Sequence, residues 1–500
     1  MTLLDRATSR RWPVAWLALV LPLAWWALSF AAAGWVPHGD TAHTAVRVHD
    51  VFSSHSPWLG MPSTSGFVAP GVNAHHPGPL QFQLLAPLYA LSGHAPWGLL
   101  LAAFAVNAAL LAGALAGAAA AAGTRGWVTV AAVQAVVIVV IGAALAEPWN
   151  PWMASFAAAA AISAAWAVLV GNGRWWPVFI ASASIAAQSH LALAPLVLVM
   201  GVVTLVASVL LMRARRLMLS ARTAGLTAVL GLLCWTAPLL DVARREPDNL
   251  DQLLSVASAG GGGIVLGVVV AAVVVGLLWF AHRRGRGLVT GSPRAIVAWL
   301  LVASSVLVWS ATRAGEGRAF YAAFGAVVPL TLLMWWLVGA AMRARRRRGI
   351  ARAVVALGAM ALVLMPHPLG DSFRDHGVSA GDVVDRALTA VADHDGPIEV
   401  QTAGELAWAD LGPAIYAALV AEGRDVWFDP RVDGEREDDF RHARRATGPR
   451  LLLVLNTHAG DPAPVPEKAV VHRLELREVR ALPGIPSDED RADLVLTLVE

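Results

Sequence analysis

Between Gly34 and Gly78 the chain places His38, Asp40, His43, His49, Asp50, His55, His75 and His76, a set that includes six of its fifteen histidines within 45 residues. Two kinds of chemistry suit such a stretch. His38, Asp40 and His43 include plausible ligands for a first-row divalent metal, although their spacing matches no zinc signature. Alternatively, a carboxylate does acid–base work, with the histidines and Arg47 setting its environment. Polar residues in a wet loop are a third reading that needs no site at all. Asp40, in His38-Gly39-Asp40-Thr41-Ala42, stands out because it falls just past a long apolar segment.

The elements that would position these residues are membrane helices. Of 500 residues, 57% are hydrophobic and 15% charged, and the mean hydropathy is +0.59. Soluble domains carry roughly 25% charged residues, so an ordinary soluble enzyme is excluded. Disorder is excluded as well, because this much apolar side chain offsets chain entropy. The net charge of +3 averages two unlike parts. Residues 1–366 hold 24 Arg and Lys against 9 Asp and Glu, whereas residues 367–500 hold 14 against 26. The single cysteine, Cys234, forms no internal disulfide.

Apolar stretches of spanning length, roughly 17–25 residues, occur at 12–33, 96–122, 127–146, 152–170, 191–212, 223–240, 263–281, 295–312, 318–341 and 350–366. A shorter one at 175–189 is added because Trp175 and Trp176 suit an interfacial helix end. The first follows Arg6, Arg10 and Arg11 and reads as a signal anchor. Pro79–Leu91 is too short to cross and reads as re-entrant or interface-lying. The expected fold is thus an α-helical polytopic membrane protein of about eleven transmembrane helices. Applied to these crossings, the positive-inside rule puts the Arg-rich loops at 6–11, 125, 174, 213–222, 283–294 and 343–352 in the cytoplasm. Asp40, Asp50, Glu147, Asp241, Glu246, Asp248, Asp251 and Glu316 then all fall outside. The weakest boundary is 175–212, where Gln188-Ser189-His190 is the expected external turn.

Residues 367–500 then form a small extracytoplasmic α/β domain, with strands at Pro397–Gln401, Asp425–Phe428 and Leu451–Leu455 and a helix at Leu411–Glu422. The Arg436–Arg445 charge run reads as a solvated helix face.

One layout in this chain is similar to a known family. It combines an acid immediately after the first membrane helix, a long external loop and a His76-Pro77-Gly78-Pro79-Leu80 step opening the next apolar helix. A second external acid follows about a hundred residues on, here Glu147 in Glu147-Pro148-Trp149-Asn150-Pro151-Trp152. This resembles the GT-C superfamily of membrane glycosyltransferases, in which protein O-mannosyltransferases and the aminoarabinose transferases of lipid A carry a similar Pro-Pro-Leu step. The resemblance covers roughly residues 12–240. The family's second acid is usually Asp rather than Glu, and the first acid here has no acidic neighbour.

The resemblance implies an inverting glycosyltransferase in the cytoplasmic membrane, with its N-terminus cytoplasmic, a polyprenyl-phosphate-linked sugar as donor and a cell-envelope glycan or glycolipid as acceptor. Such a donor is already activated. The enzyme then needs one base, Asp40, and cations for the leaving phosphate. Arg244 and Arg245 are the adjacent external pair for that charge, with Arg47, Arg313 and Arg318 as further candidates. The pair could equally snorkel or pair with Glu246 and Asp248. His75 or His76 could donate to phosphate or sugar, and Glu147, Asn150, Gln188 and His190 could contact substrate. No cofactor is assigned with certainty, and a divalent metal is permitted without being demanded. The rivals are a polytopic transporter or lipid-linked glycan flippase, and a non-catalytic envelope assembly protein. Transporters usually show charged or broken helices at mid-membrane and repeated halves, and neither is evident here.

Overall fold

The computed structural model describes residues 12–63, 72–259, 368–404, 406–428, 439–456, 474–477 and 491–499. The expected spans at 263–281, 295–312, 318–341 and 350–366, together with Arg313 and Arg318, lie outside these residues.

Among the described residues, four helices are long and apolar enough to cross a membrane: Trp12–Ala32, Pro96–Thr124, Asn150–Leu169 and Ala221–Arg244. Helix α1, Trp12–Ala32, shows what surrounds them. It buries Leu19, Val20, Leu23, Ala27 and Phe30 against its neighbours. Its other face leaves Val14, Leu21, Trp25 and Leu28 exposed, each by more than 60%. An apolar face of that size is a liability in water and the required surface in lipid. The chain is a multi-pass α-helical membrane protein.

Two short helices follow, α2 (Gly39–Asp50) and α3 (Leu80–Leu91). The 12 residues of α3 fall short of a crossing, as expected for this stretch. Helix α4, Pro96–Ile141, is two helices joined at Ala122–Gly123, where Gly123 adopts φ +61. A Cβ on Gly126 would stand 2.0 Å from the carbonyl oxygen of Ala118, so the chain turns back on itself beside Arg125. Helix α5 (Asn150–Leu169) packs on α4 through small residues. Ala154, Ala157, Ala161 and Ala164 are fully buried, and a Cβ on Gly117 would lie 3.0 Å from the Ser163 backbone. Close backbone approach of this kind drives helix association where lipid removes the hydrophobic term.

The break expected near Gln188 is present. Helix α6 (Trp176–Ser189) ends there, His190 is extended, and α7 begins at Ala194 and runs to Arg213. Next comes α8 (Ala221–Arg244), whose last turn contains Asp241. Residues 249–259 are helical, with Asn249 opening α9 (Asn249–Ala259). The alternating helices bring the end of α1, α2, the start of α5 and the ends of α6 and α8 to one end of the bundle. At the other end, Gly171 and Gly173 pack against the carbonyls of Arg216 and Met218.

In the C-terminal part, α10 (Pro368–Ala390) precedes a mixed five-stranded sheet. The strands are β1 (Ile398–Ala403), β2 (Val426–Phe428), β3 (Arg450–Asn456), β4 (Leu474–Arg477) and β5 (Arg491–Val499), in the order β2-β1-β3-β5-β4. β1 runs parallel to β2 and β3, whereas β5 is antiparallel to β3 and β4. A π-helical turn, Ala407–Leu411, leads into α11 (Gly412–Ala421), the crossover from β1 to β2. The Arg436–Arg445 reading is corrected in part: 439–441 and 443–445 are single 3-10 turns, and Arg441 is bound to Asp50.

Buried side chains of this sheet and of the membrane helices belong to one apolar cluster. The approach is closest at α10. The Gly377 carbonyl accepts from the Val36 amide at 3.3 Å, and a Cβ on Gly377 would sit 2.1 Å from Cδ1 of Trp35. Gly377→Ala gains about 1 kcal/mol of helix propensity but must displace a rigid indole, at a cost of about 1–3 kcal/mol. We expect a lowered unfolding temperature in detergent, and an unchanged or raised one would show that this approach is not kept in solution.

Candidate functional site

The end of the bundle that gathers α2, α5, α6 and α8 carries most of the chain's membrane-body acids and histidines. Its centre is the segment Glu147–Asn150, which runs beside His38–Asp40. The two are cross-linked in register. His38 Nε2 faces Glu147 Oε1 at 3.2 Å, and two residues on, the Trp149 indole N–H donates to Asp40 Oδ2 at 2.9 Å. Other contacts hold the same segment on its remaining sides. The Gln81 amide donates to the Pro148 carbonyl at 3.1 Å, and Asn150 Nδ2 donates to the Ser189 carbonyl at 2.9 Å.

Helix α2 starts in a way that only glycine permits. Gly39 has φ +48, and a Cβ there would lie 3.1 Å from Asp410 Oδ1 and 3.3 Å from the Ala409 carbonyl. The positive φ swings Asp40 out onto the first turn, where it is exposed. His38 by contrast turns inward. Its Nδ1 faces Asp410 Oδ1 at 2.8 Å, and the other Asp410 oxygen meets Nε2 of His376 on α10. The Trp35 indole N–H also donates to Glu147 Oε1, at 3.2 Å. Burial is nearly complete for Asp410 (1%), Glu147 (2%), His376 (2%) and His38 (4%). Burial alone would push the His38 pKa down, but the carboxylates of Asp410 and Glu147 more than offset this and raise it to about 10. The Asp410 carboxyl is held well below its usual range, its own desolvation outweighed by His38 and His376.

The far end of α2 is tied to the same C-terminal part. Arg441 makes a bidentate pair with Asp50, with Nη2 to Oδ1 at 2.6 Å and Nη1 to Oδ2. His49 Nδ1 lies 3.1 Å from Asp50 Oδ1. His43 packs edge-on to Phe428, and His55 stacks on Phe440 at 3.9 Å. Asp410 and Arg441 thus grip both ends of the helix that carries Asp40. Of the ligand trio considered from sequence, His38 joins a cluster while Asp40 and His43 have the different partners just described.

A second group lies on the other side of Asn150. His76 and His190 stack with centroids 5.1 Å apart. The Leu191 amide donates to His76 Nδ1 at 2.9 Å, so a neutral His76 carries its proton on Nε2. Burial holds the His76 pKa well below its usual value, with His190 and His75 adding to the effect; burial also lowers His190 to about 4. Both are therefore neutral donors or acceptors at pH 7. Gln188 is fully buried, its Nε2 donating to the Cys234 carbonyl at 2.6 Å. The His75 amide and carbonyl both bond to the Asn249 side chain, at 2.8 and 3.1 Å, and the Asn249 amide donates to buried Asp241 at 2.9 Å. Arg245 pairs with Asp241 at 3.2 Å. Arg244 and Arg245 both lie over the Trp58 ring, 5.9 and 4.8 Å from its centroid, and Arg244 is exposed. Arg47 is buried, with its guanidinium 5.9 Å from the Phe82 ring centroid.

The described residues among those singled out from sequence therefore share one end of the bundle, in two groups joined through Asn150 and Ser189. Sequence reasoning missed Trp35, His376, Asp410 and Arg441. Asp410 did leave a signal, as an acid inside the apolar run Leu406-Ala407-Trp408-Ala409-Asp410-Leu411.

No family model and no curated protein matches the chain. Two solved structures of ArnT from Cupriavidus metallidurans are similar to it, one bound to undecaprenyl phosphate and one in the apo state. They share 15% and 14% sequence identity with it. Each alignment covers 97% of this chain, and 98% and 97% of the ArnT chains, with a TM-score of 0.48 in both cases.

Proposed function

We propose that the protein is an inverting, GT-C-type glycosyltransferase. It moves a sugar from a polyprenyl-phosphate donor to a cell-envelope glycan or glycolipid, on the outer face of the cytoplasmic membrane. The observation that carries this reading is the state of Asp40. Its carboxylate is exposed and, among the described residues, accepts one hydrogen bond, from Trp149 at Oδ2, while its neighbours Glu147 and Asp50 are buried and engaged.

Oδ1 of Asp40 is the proton acceptor. As the acceptor hydroxyl oxygen forms its bond to the anomeric carbon, its proton passes to Asp40. The bond from that carbon to the phosphate oxygen breaks on the opposite face, and its electron pair leaves with the polyprenyl phosphate. One displacement inverts the configuration, and no second carboxylate at bonding distance is needed, unlike in a retaining glycosidase. Arg244 and Arg245 meet the charge that develops on the phosphate. Neutral His76 offers its Nε2–H to a sugar hydroxyl or phosphate oxygen. Buried Glu147, Asn150, Gln188, His190 and His75 hold this wall in place from behind.

The reading is tested by reconstituting the full chain in vesicles with a panel of polyprenyl-phosphate-linked sugars and envelope-glycan acceptors. Release of polyprenyl phosphate together with a new glycosidic linkage is the expected result. Movement of the lipid-linked sugar between leaflets without a new linkage would identify a flippase instead.

A further inference from the structure

The cluster where the C-terminal part meets the membrane body has the chemistry of a metal centre, independently of any sugar transfer. We propose that His38, His376 and Asp410 bind one zinc ion that staples α10 and the π-helical turn to the segment leading into α2.

The donor set is the first argument. Two imidazoles and one carboxylate suit zinc, and one ligand atom from each of the three lies within 4.8 Å of the others. Ligand atoms around a four-coordinate zinc stand about 3.4 Å apart for bonds near 2.1 Å, so all three reach one ion with small side-chain shifts. The second oxygen of Asp410 or a water completes the shell. All three residues are buried, as in a closed structural site.

The second argument is the shell behind the ligands. A metal-bound histidine usually donates its other ring nitrogen to a carboxylate, which fixes its tautomer and strengthens it as a ligand. His38 is arranged in this way. Nδ1 faces Asp410 at 2.8 Å, Nε2 faces Glu147 at 3.2 Å, and Glu147 is itself oriented by the Trp35 indole at 3.2 Å. The charge also balances, since one divalent ion offsets the buried carboxylates of Asp410 and Glu147 with both imidazoles neutral.

Zinc content of the full chain, purified in detergent through a tag that contains no histidine and equilibrated with micromolar zinc, tests the proposal. We expect about one zinc per wild-type chain. His376→Ala and Asp410→Asn should lose it, His43→Ala should keep it, and Glu147→Gln should weaken binding by about 10–100-fold. Zinc should also raise the unfolding temperature of the wild type and not that of His376→Ala. A folded wild type that takes up no zinc overturns the site, and so does His376→Ala that keeps a full equivalent. If the ligand variants do not fold, cobalt substitution of the wild type decides. Absorption bands of four-coordinate cobalt(II) with nitrogen and oxygen ligands support the site, and their absence contradicts it.

Discussion

Asp40→Asn should slow sugar transfer by about 10²–10⁴-fold, the usual worth of a positioned general base, while donor binding stays near that of the wild type. Asparagine keeps the size of the side chain and an oxygen that can accept from Trp149, so the wall beside Glu147 is undisturbed. It cannot take the acceptor's proton. Asp40 is exposed, and a surface substitution of this kind changes stability by about 0.5 kcal/mol or less. Single-turnover rates with saturating lipid-linked donor, measured beside donor affinity and thermal unfolding, check all three expectations. A parallel loss of donor affinity would make Asp40 a binding residue.

Arg441→Ala should destabilise the fold by about 3–5 kcal/mol, because it leaves the Asp50 carboxylate buried without its cation. Asp50 is 1% exposed, and its other partner is the His49 imidazole, with Nδ1 at 3.1 Å. Replacing both partners as Asp50→Asn with Arg441→Met should cost less than Arg441→Ala alone, since no uncompensated charge then remains. Stability against pH provides an independent check. Burial favours the neutral Asp50 carboxyl, but hydrogen bonds from His49 and Arg441 reverse that and lower its pKa. The pair therefore stabilises the protein fully above the ordinary carboxyl range near 3.9, and this contribution is lost as pH falls through the depressed value. In Arg441→Ala burial prevails, the Asp50 pKa rises, and the acid loss of stability should begin at a higher pH than in the wild type. Unfolding temperatures across an acid pH series would show that displacement or its absence.

The helix pattern was legible because lipid demands long apolar runs. The four spanning helices, the reversal at Ala122–Gly123, the break at His190 and the short helix at Leu80–Leu91 all follow from local hydropathy and from Gly, Pro and Arg placement. The strand read at Pro397–Gln401 is β1, where Ile398 and Val400 alternate with Glu399 and Gln401, and Leu451–Leu455, a continuous apolar run that suits a buried strand, lies within β3. The polar junction was not legible. His38 meets Asp410 across 372 positions and Asp50 meets Arg441 across 391, and no spacing rule reaches that far. The histidines around Asp40 looked like one local site, and the fold divides them instead. His38 faces inward to C-terminal partners, His43 and His55 pack on C-terminal aromatics, and His75 and His76 turn towards α9 and His190. Glu147 and Asp40 looked alike in sequence as external acids. Burial and hydrogen bonding separate them.

That separation is the central claim, and comparing Asp40→Asn with Glu147→Gln in one single-turnover transfer assay, with unfolding temperatures recorded on the same samples, tests it most directly. Asp40→Asn should lose at least about 10²-fold in rate at an unchanged unfolding temperature. Glu147→Gln, which loosens His38 and Trp35, should unfold at a lower temperature and retain most of its rate per folded molecule. The opposite pattern, with transfer intact in Asp40→Asn and abolished in a stable Glu147→Gln, would contradict it.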